Sequence, residues 1–179
     1  MNARGGRSAP KLDFEPLLAA ARRARARAYA PYSHYSVGAA ILTRSGRVYA
    51  GANVENATYG ATVCAERSAI SAMVAAGDRN PVACVVVTSG PTPGAPCGIC
   101  RQVLTEFAAD MPVLMVADDD AGRTLATRRA SLASLLPLAF GQKSLPMGQG
   151  PHRSNLTRQG PHRSNLSARP NRRAKPSPR

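Results

Sequence analysis

The sequence predicts an α/β fold, a three-layer α/β/α sandwich in which five strands form one mixed sheet. Three observations lead there. Helical periodicities alternate with short apolar runs along residues 12–141. The run at 81–88 is continuous and β-branched, the composition of a strand covered on both faces. Only about five residues join the last two strands, too few for a parallel crossover, so that pair runs antiparallel.

The elements follow in order. Asp13 can cap a helix running to about Tyr29, with Leu17, Leu18 and Ala21 on one side and Arg22, Arg23, Arg25 and Arg27 making it strongly basic. "PYSHYSVG" reads as a loop. Residues 37–43 and 47–52 read as two strands around a Ser45–Gly46 turn. Residues 53–63 are polar and aperiodic, hence loop. A helix over 64–76 carries Ile70, Met73 and Val74 at helical spacing and stops at Gly77. After the strand at 81–88 and a Pro/Gly loop, a helix over 97–108 turns Val103, Leu104 and Phe107 inward. Strands at 112–117 and near 123–126 flank a "DDDAG" turn, and a last helix covers 131–136 before Pro137.

The chain divides by charge into three parts. Of 179 residues, 24 are basic and 10 acidic, a net charge of +14. Residues 1–29 carry +5 and residues 141–179 carry +9, while 30–140 are neutral. The total suggests a nucleic-acid binder, but all of the excess lies outside the middle of the chain. Residues 1–11 read as a disordered basic N-terminus and 12–141 as the one folded domain. Residues 142–179 read as a disordered Arg/Pro-rich tail, in which "QGPHRSNL" at 149–156 recurs as an identical copy at 159–166. His152 and His162 in the repeat read as solvated side chains, and the copied repeat, which looks like a recent duplication, fits a tail arisen by near-neutral drift or by a shifted reading frame in a GC-rich gene. No apolar run reaches the roughly 20 residues of a membrane span. With no recognisable secretory signal, the four cysteines are expected reduced and the protein cytoplasmic.

Cys64-Ala65-Glu66 followed by Pro96-Cys97-Gly98-Ile99-Cys100 carries the chemistry. Three thiolates bind Zn²⁺ well, and a Cys-x-x-Cys at a helix start places two sulfurs on one side of a metal. Both segments begin predicted helices, whose positive ends favour thiolate over thiol. Three protein ligands leave the fourth tetrahedral position open, the mark of a catalytic zinc. Glu66, in the first turn, can reach that position without ligating and can shuttle a proton there. Three thiolates weaken the acidity of the zinc, and Arg67 can offset this by hydrogen-bonding sulfur, unless it is a plain surface arginine. Other readings are a structural zinc with His34 as fourth ligand and a thioredoxin-like Cys97/Cys100 redox pair. The first leaves Glu66 without a purpose, and the second ignores Cys64. Cys84, inside "PVACVVVT", reads as a small buried hydrophobe.

These residues resemble the zinc-dependent cytidine deaminase signature, an arrangement for which this superfamily is the standard example. "PYSHYSVGAA", "GANVENATYGATVCAERSAI", "APCGICRQVLTEF" and "LLPLAFG" extend the likeness to the short, free-nucleoside cytidine deaminases over roughly residues 12–141. The resemblance implies hydrolysis of cytidine and deoxycytidine to uridine and deoxyuridine, with one zinc per subunit. Glu66 would deprotonate the attacking water and protonate ring N3 and the leaving ammonia. Asn53 and Glu55 match residues that bind the ribose hydroxyls. Tyr35 matches an aromatic, usually Phe, that stacks on the pyrimidine, and Ala65 supplies a backbone group near the base. Phe140 matches a C-terminal Phe that reaches a neighbouring subunit's site in a homotetramer; it could instead be a core aromatic over the last helix.

Blasticidin-type deaminases share the Cys-Ala-Glu start, but "NVEN" is not expected in them. Polynucleotide deaminases usually begin with His-Ala-Glu and place their last two strands parallel. A third reading makes the basic extensions the functional part, in non-specific contact with nucleic acid.

Overall fold

The computed structural model describes residues 12–141 and 144–145. The expectations for residues 1–11, and for 142–179 apart from 144–145, lie outside the described residues.

Nine main elements follow in the expected order: α1 (Glu15–Arg25), β1 (Val37–Thr43), β2 (Val48–Ala52), α2 (Ala65–Ala75), β3 (Pro81–Ser89), α3 (Gly98–Phe107), β4 (Pro112–Asp118), β5 (Thr124–Ser131) and α4 (Leu132–Leu135). The sheet order is β2-β1-β3-β4-β5. β3 and β4 are parallel, and every other pair is antiparallel, including β4 with β5.

The period of two in the strands divides the core. Ala83, Val85 and Val87 of β3, Ala40 of β1 and Leu114 and Val116 of β4 face α1, where Phe14, Leu17, Ala20 and Ala21 cover them. Cys84 and Val86, Ala39 and Ile41, and Val113 and Met115 face the other way. There they meet Ala65, Ala69, Ile70 and Met73 of α2, Leu104 of α3 and Leu132 of α4. β3 is buried on both faces, as its unbroken apolar run requires.

Two elements differ from expectation. α1 ends at Arg25 rather than near Tyr29. Its last turn tightens, with Arg27 N–H donating to Ala24 O at 2.9 Å and Ala28 N–H to Arg25 O at 3.0 Å. Tyr29 then pairs with the 53–55 segment, donating to Asn53 O at 3.0 Å and accepting from Glu55 N–H at 2.8 Å. Asp13 accepts from Glu15 N–H at 3.0 Å but does not sit at the N-cap, which is Phe14. β5 runs to Ser131, past the short strand expected near 123–126. Its polar side chains suit an edge strand whose burial comes from one neighbour only.

Two features fix the helices on the sheet. Arg22 grips the fully buried Asp118 at the end of β4 through Nε at 2.8 Å and Nη2 at 3.1 Å. On the opposite face, a Cβ on Gly51 would stand 2.7 Å from the carbonyl oxygen of Ala65, so α2 begins in direct backbone contact with β2.

Candidate metal centre and substrate cavity

Cys64 and Cys97 occupy equivalent places. Each is the N-cap of its helix with extended backbone (ψ 155° and 168°), and neither sulfur caps its own helix. Their carbonyls accept the first helical hydrogen bonds, from Ser68 N–H at 3.1 Å and Arg101 N–H at 3.0 Å. Cys100, one turn into α3, is buried behind them. Arg101 holds this start in place, donating to Pro96 O at 2.7 Å and to Leu135 O at 2.8 Å.

The three sulfurs lie within 4.8 Å of one another, the one such group among the described residues. Cys64 and Cys97 Sγ are 3.8 Å apart. A tetrahedron with metal–sulfur bonds of about 2.3 Å has edges of about 3.8 Å, so the donor set fits zinc. His34 is not in the group. Cys84 is buried on β3, and burial pushes its thiol well above the usual range.

Electrostatics at the centre favour thiolate at the entrance. A hydrogen bond from Cys100 and a second from Arg67 hold Cys64 well below the usual thiol range. Cys100 is raised in turn, because it donates to Cys64 and is itself desolvated. Arg67 Nη2 stands 3.9 Å from Cys64 Sγ and donates to Thr62 O at 2.6 Å. The arginine expected to offset thiolate charge is thus beside one sulfur. Glu66 is only 4% exposed. Burial, helped by the nearby Cys64 charge, lifts its carboxyl above the ordinary range, as suits a group that both takes and returns a proton.

A cavity of about 200 Å³ opens from this centre. Cys64, Cys97, Ala65 and Glu66 form one wall, and Tyr35, Asn53 and Glu55 another. Asn53 is buried, and its amide spans two backbone groups: Nδ2 donates to Tyr35 O at 2.9 Å and Oδ1 accepts from Val37 N–H at 2.8 Å. Glu55 accepts from Tyr32 N–H at 2.9 Å, from Ser33 N–H at 3.2 Å and from Ser33 Oγ. Those donors, the Ser33 hydroxyl foremost, hold its carboxyl below the usual range. Arg67 and Phe140 do not line this cavity. Phe140 is 61% exposed, and its carbonyl accepts from Gln102 Nε2 at 2.8 Å.

Ser33, Thr62, Thr88, Gly94 and Ala95 also line the cavity, and sequence reasoning did not single them out. The signal available was adjacency: each lies within a few residues of "PYSHYSVG", "TVCAE" or "APCGIC" or at the end of the buried strand.

Residues 13–116 match the family model described as the cytidine and deoxycytidylate deaminase zinc-binding region. A cytidine deaminase of Sporosarcina psychrophila is 42% identical over 136 residues, which covers 75% of this chain and 96% of that one. A cytidine deaminase of Halalkalibacterium halodurans is 47% identical over 105 residues, covering 58% and 80%. The crystal structure of cytidine deaminase from Burkholderia pseudomallei superposes with a TM-score of 0.65 at 43% identity, covering 72% of this chain and 100% of that one. The enzyme from Mycobacterium tuberculosis gives 0.61 at 40% identity, covering 73% and 99%.

Proposed function

The chain belongs to the zinc-binding cytidine and deoxycytidylate deaminase family, and on that premise we propose that it converts free cytidine and deoxycytidine to uridine and deoxyuridine with release of ammonia, a reaction of pyrimidine salvage. The carrying observation is the meeting of three sulfurs within 4.8 Å and a buried carboxylate on one wall of a cavity of about 200 Å³. Cys64, Cys97 and Cys100 would hold the zinc, one per subunit. When bound, zinc supplies a Lewis acid that makes water nucleophilic near neutral pH.

The residues of this chain do the rest. Glu66 takes a proton from the attacking water and places it on ring N3 as the water oxygen bonds to C4. It then carries the second proton to the amino nitrogen, the C4–N bond breaks, and ammonia departs. Its burial excludes competing water from the proton path. Arg67 is a positioning residue that stabilises the Cys64 thiolate and anchors it to Thr62 O. Ala65, at the start of α2, offers backbone polar groups to the base. Tyr35 covers the pyrimidine. Asn53 and Glu55 face the sugar, and each keeps hydrogen-bonding capacity beyond its intramolecular partners, an amide N–H on Asn53 and carboxylate lone pairs on Glu55.

The likeness to cytidine deaminases at 42% and 47% identity supports a free nucleoside as substrate over a polynucleotide strand. The exposed Phe140 supports a homotetramer in which it reaches a neighbouring subunit's cavity. Three free thiols that must stay reduced support a cytoplasmic location. Among the described residues no helix is long and apolar enough to cross a membrane. Residues 12–141 form the catalytic domain. The +9 charge of 141–179 supports, at most, an accessory and non-specific contact of the tail with nucleic acid.

The test follows loss of cytidine absorbance, with and without a chelator, for the zinc-loaded full chain and for a chain ending at 141. Chelator-sensitive turnover by both is the expected result. Unchanged cytidine with zinc-replete protein, or turnover that needs the tail, overturns the reading.

A further inference from the structure

Tyr35 is held by its backbone on two sides. Its N–H donates to Ser33 Oγ at 3.0 Å, and its carbonyl accepts from Asn53 Nδ2 at 2.9 Å. Ser33 and Asn53 are themselves tied, to Glu55 and to Val37. The ring therefore cannot move by sliding its main chain, and its position is set at the far end, by what the hydroxyl meets.

That end lies against the loop between β3 and α3. A Cβ built on Gly94 would stand 2.6 Å from the Tyr35 hydroxyl oxygen and 2.8 Å from Thr88 Cγ2. Real Cβ atoms do not come that close to other heavy atoms, so a side chain at 94 requires something to shift. Thr88 is 2% exposed and its Oγ1 accepts from Gly94 N–H at 3.1 Å, so it holds the glycine where the hydroxyl reaches it. Thr88 is β-branched and stiff at χ1, and gives little. Tyr35 is 42% exposed and can give, but only by turning the ring into the cavity or out to solvent.

We propose that Gly94, held by Thr88, is a positioning residue for substrate binding: its lack of a side chain is the seat of the Tyr35 hydroxyl and sets the tilt of the ring over the pyrimidine. This rests on the reading of Tyr35 as the stacking aromatic. It concerns the hydroxyl, the atom by which this chain departs from the usual Phe. The glycine at 94 leaves the room that the hydroxyl of Tyr35 takes.

The experiment is a double-mutant cycle on the zinc-loaded full chain, reading KM and kcat for cytidine and the Kd of uridine by calorimetry. Gly94→Ala is expected to raise KM and the uridine Kd by about tenfold, with a much smaller change in kcat. The same substitution made in a Tyr35→Phe background, where the clashing oxygen is gone, should cost about threefold or less. Adding Thr88→Ser, which removes the second clashing atom and keeps the oxygen that accepts from Gly94, should abolish the remainder. A Gly94→Ala protein that is insoluble alone but soluble with Tyr35→Phe also supports the coupling. Equal cost of Gly94→Ala in both backgrounds, or insolubility in both, overturns the seat. Tyr35→Ala with unchanged KM overturns instead the stacking reading on which it rests, so the two failures are distinguishable.

Discussion

The two walls of the cavity are built on different principles. The metal wall comes from helix starts. Cys64 and Cys97 are N-caps, Cys100 and Glu66 lie within one turn, and Gly51 and Arg101 seat those helices on backbone. The opposite wall comes from loops. Tyr35, Asn53 and Glu55 reach the cavity through a chain of hydrogen bonds among themselves, Ser33 and Val37. On the first wall, function and scaffold fall to different residues. On the second, the polar groups that line the cavity also hold the loops together. Substitutions should therefore separate cleanly on the metal wall and mix stability with affinity on the loop wall.

The largest effect expected from that contrast is at Glu66. Glu66→Gln keeps the volume and leaves the three sulfurs untouched. It should lower kcat for cytidine by at least about 10³-fold, while zinc per chain, measured by metal analysis, stays at the wild-type value. Turnover near wild type would end the proton-shuttle assignment. Loss of zinc would show that the metal wall mixes its roles too.

Asn53→Ala should fail on two counts at once. It strands a carbonyl and an amide that Asn53 now satisfies at 2.9 and 2.8 Å. Each stranded group costs on the order of 1–3 kcal/mol when buried. The expected outcome is a lower denaturant midpoint together with a raised KM. A raised KM at unchanged stability would place Asn53 with the metal wall in kind.

Glu55 gives the smallest effect and the finest test. Its folded carboxyl titrates below the ordinary glutamate value, so the charged form is the one the fold favours. That stability is fully present above the unfolded pKa and is lost as pH falls through the lower folded value. Wild type should exceed Glu55→Gln in stability by a constant margin from neutrality down to the ordinary glutamate pKa, and the margin should shrink below it. Equilibrium unfolding at a series of acid pH values reads this directly. A margin that grows toward acid would reverse the sign of the Glu55 contribution.

The same contrast explains what could be read from the chain alone. Cys64 with Glu66, and Cys97 with Cys100, were legible as candidates because one turn of helix fixes each short spacing, whereas the meeting of the two segments is set by the fold. The antiparallel β4–β5 pair was legible because chain length forbids the alternative. The lining at Ser33, Thr62, Thr88 and Gly94 was not, since those residues meet only through the β1–β3 pairing and loop bonds. The sequence marks Asn53 as a candidate sugar contact, but its bridge between Tyr35 and Val37 has no local signal. The end of α1 was misplaced for the same reason. Helix propensity in the arginine run favours continuation, and a tertiary pairing of Tyr29 with the 53–55 segment stops it.

The burial of Cys84 gives the molecule a built-in gauge. Four thiols are present in the chain. Three belong to the metal centre, and the fourth sits at 0% exposure inside the sheet with its proton held tightly. An alkylating reagent should find almost nothing to label in metal-loaded protein and, after stripping, Cys64 and Cys97, the two thiols that are not buried. Cys84, like the equally buried Cys100, should react only as the domain opens. One mass spectrum then reports both occupancy and unfolding, with no added probe.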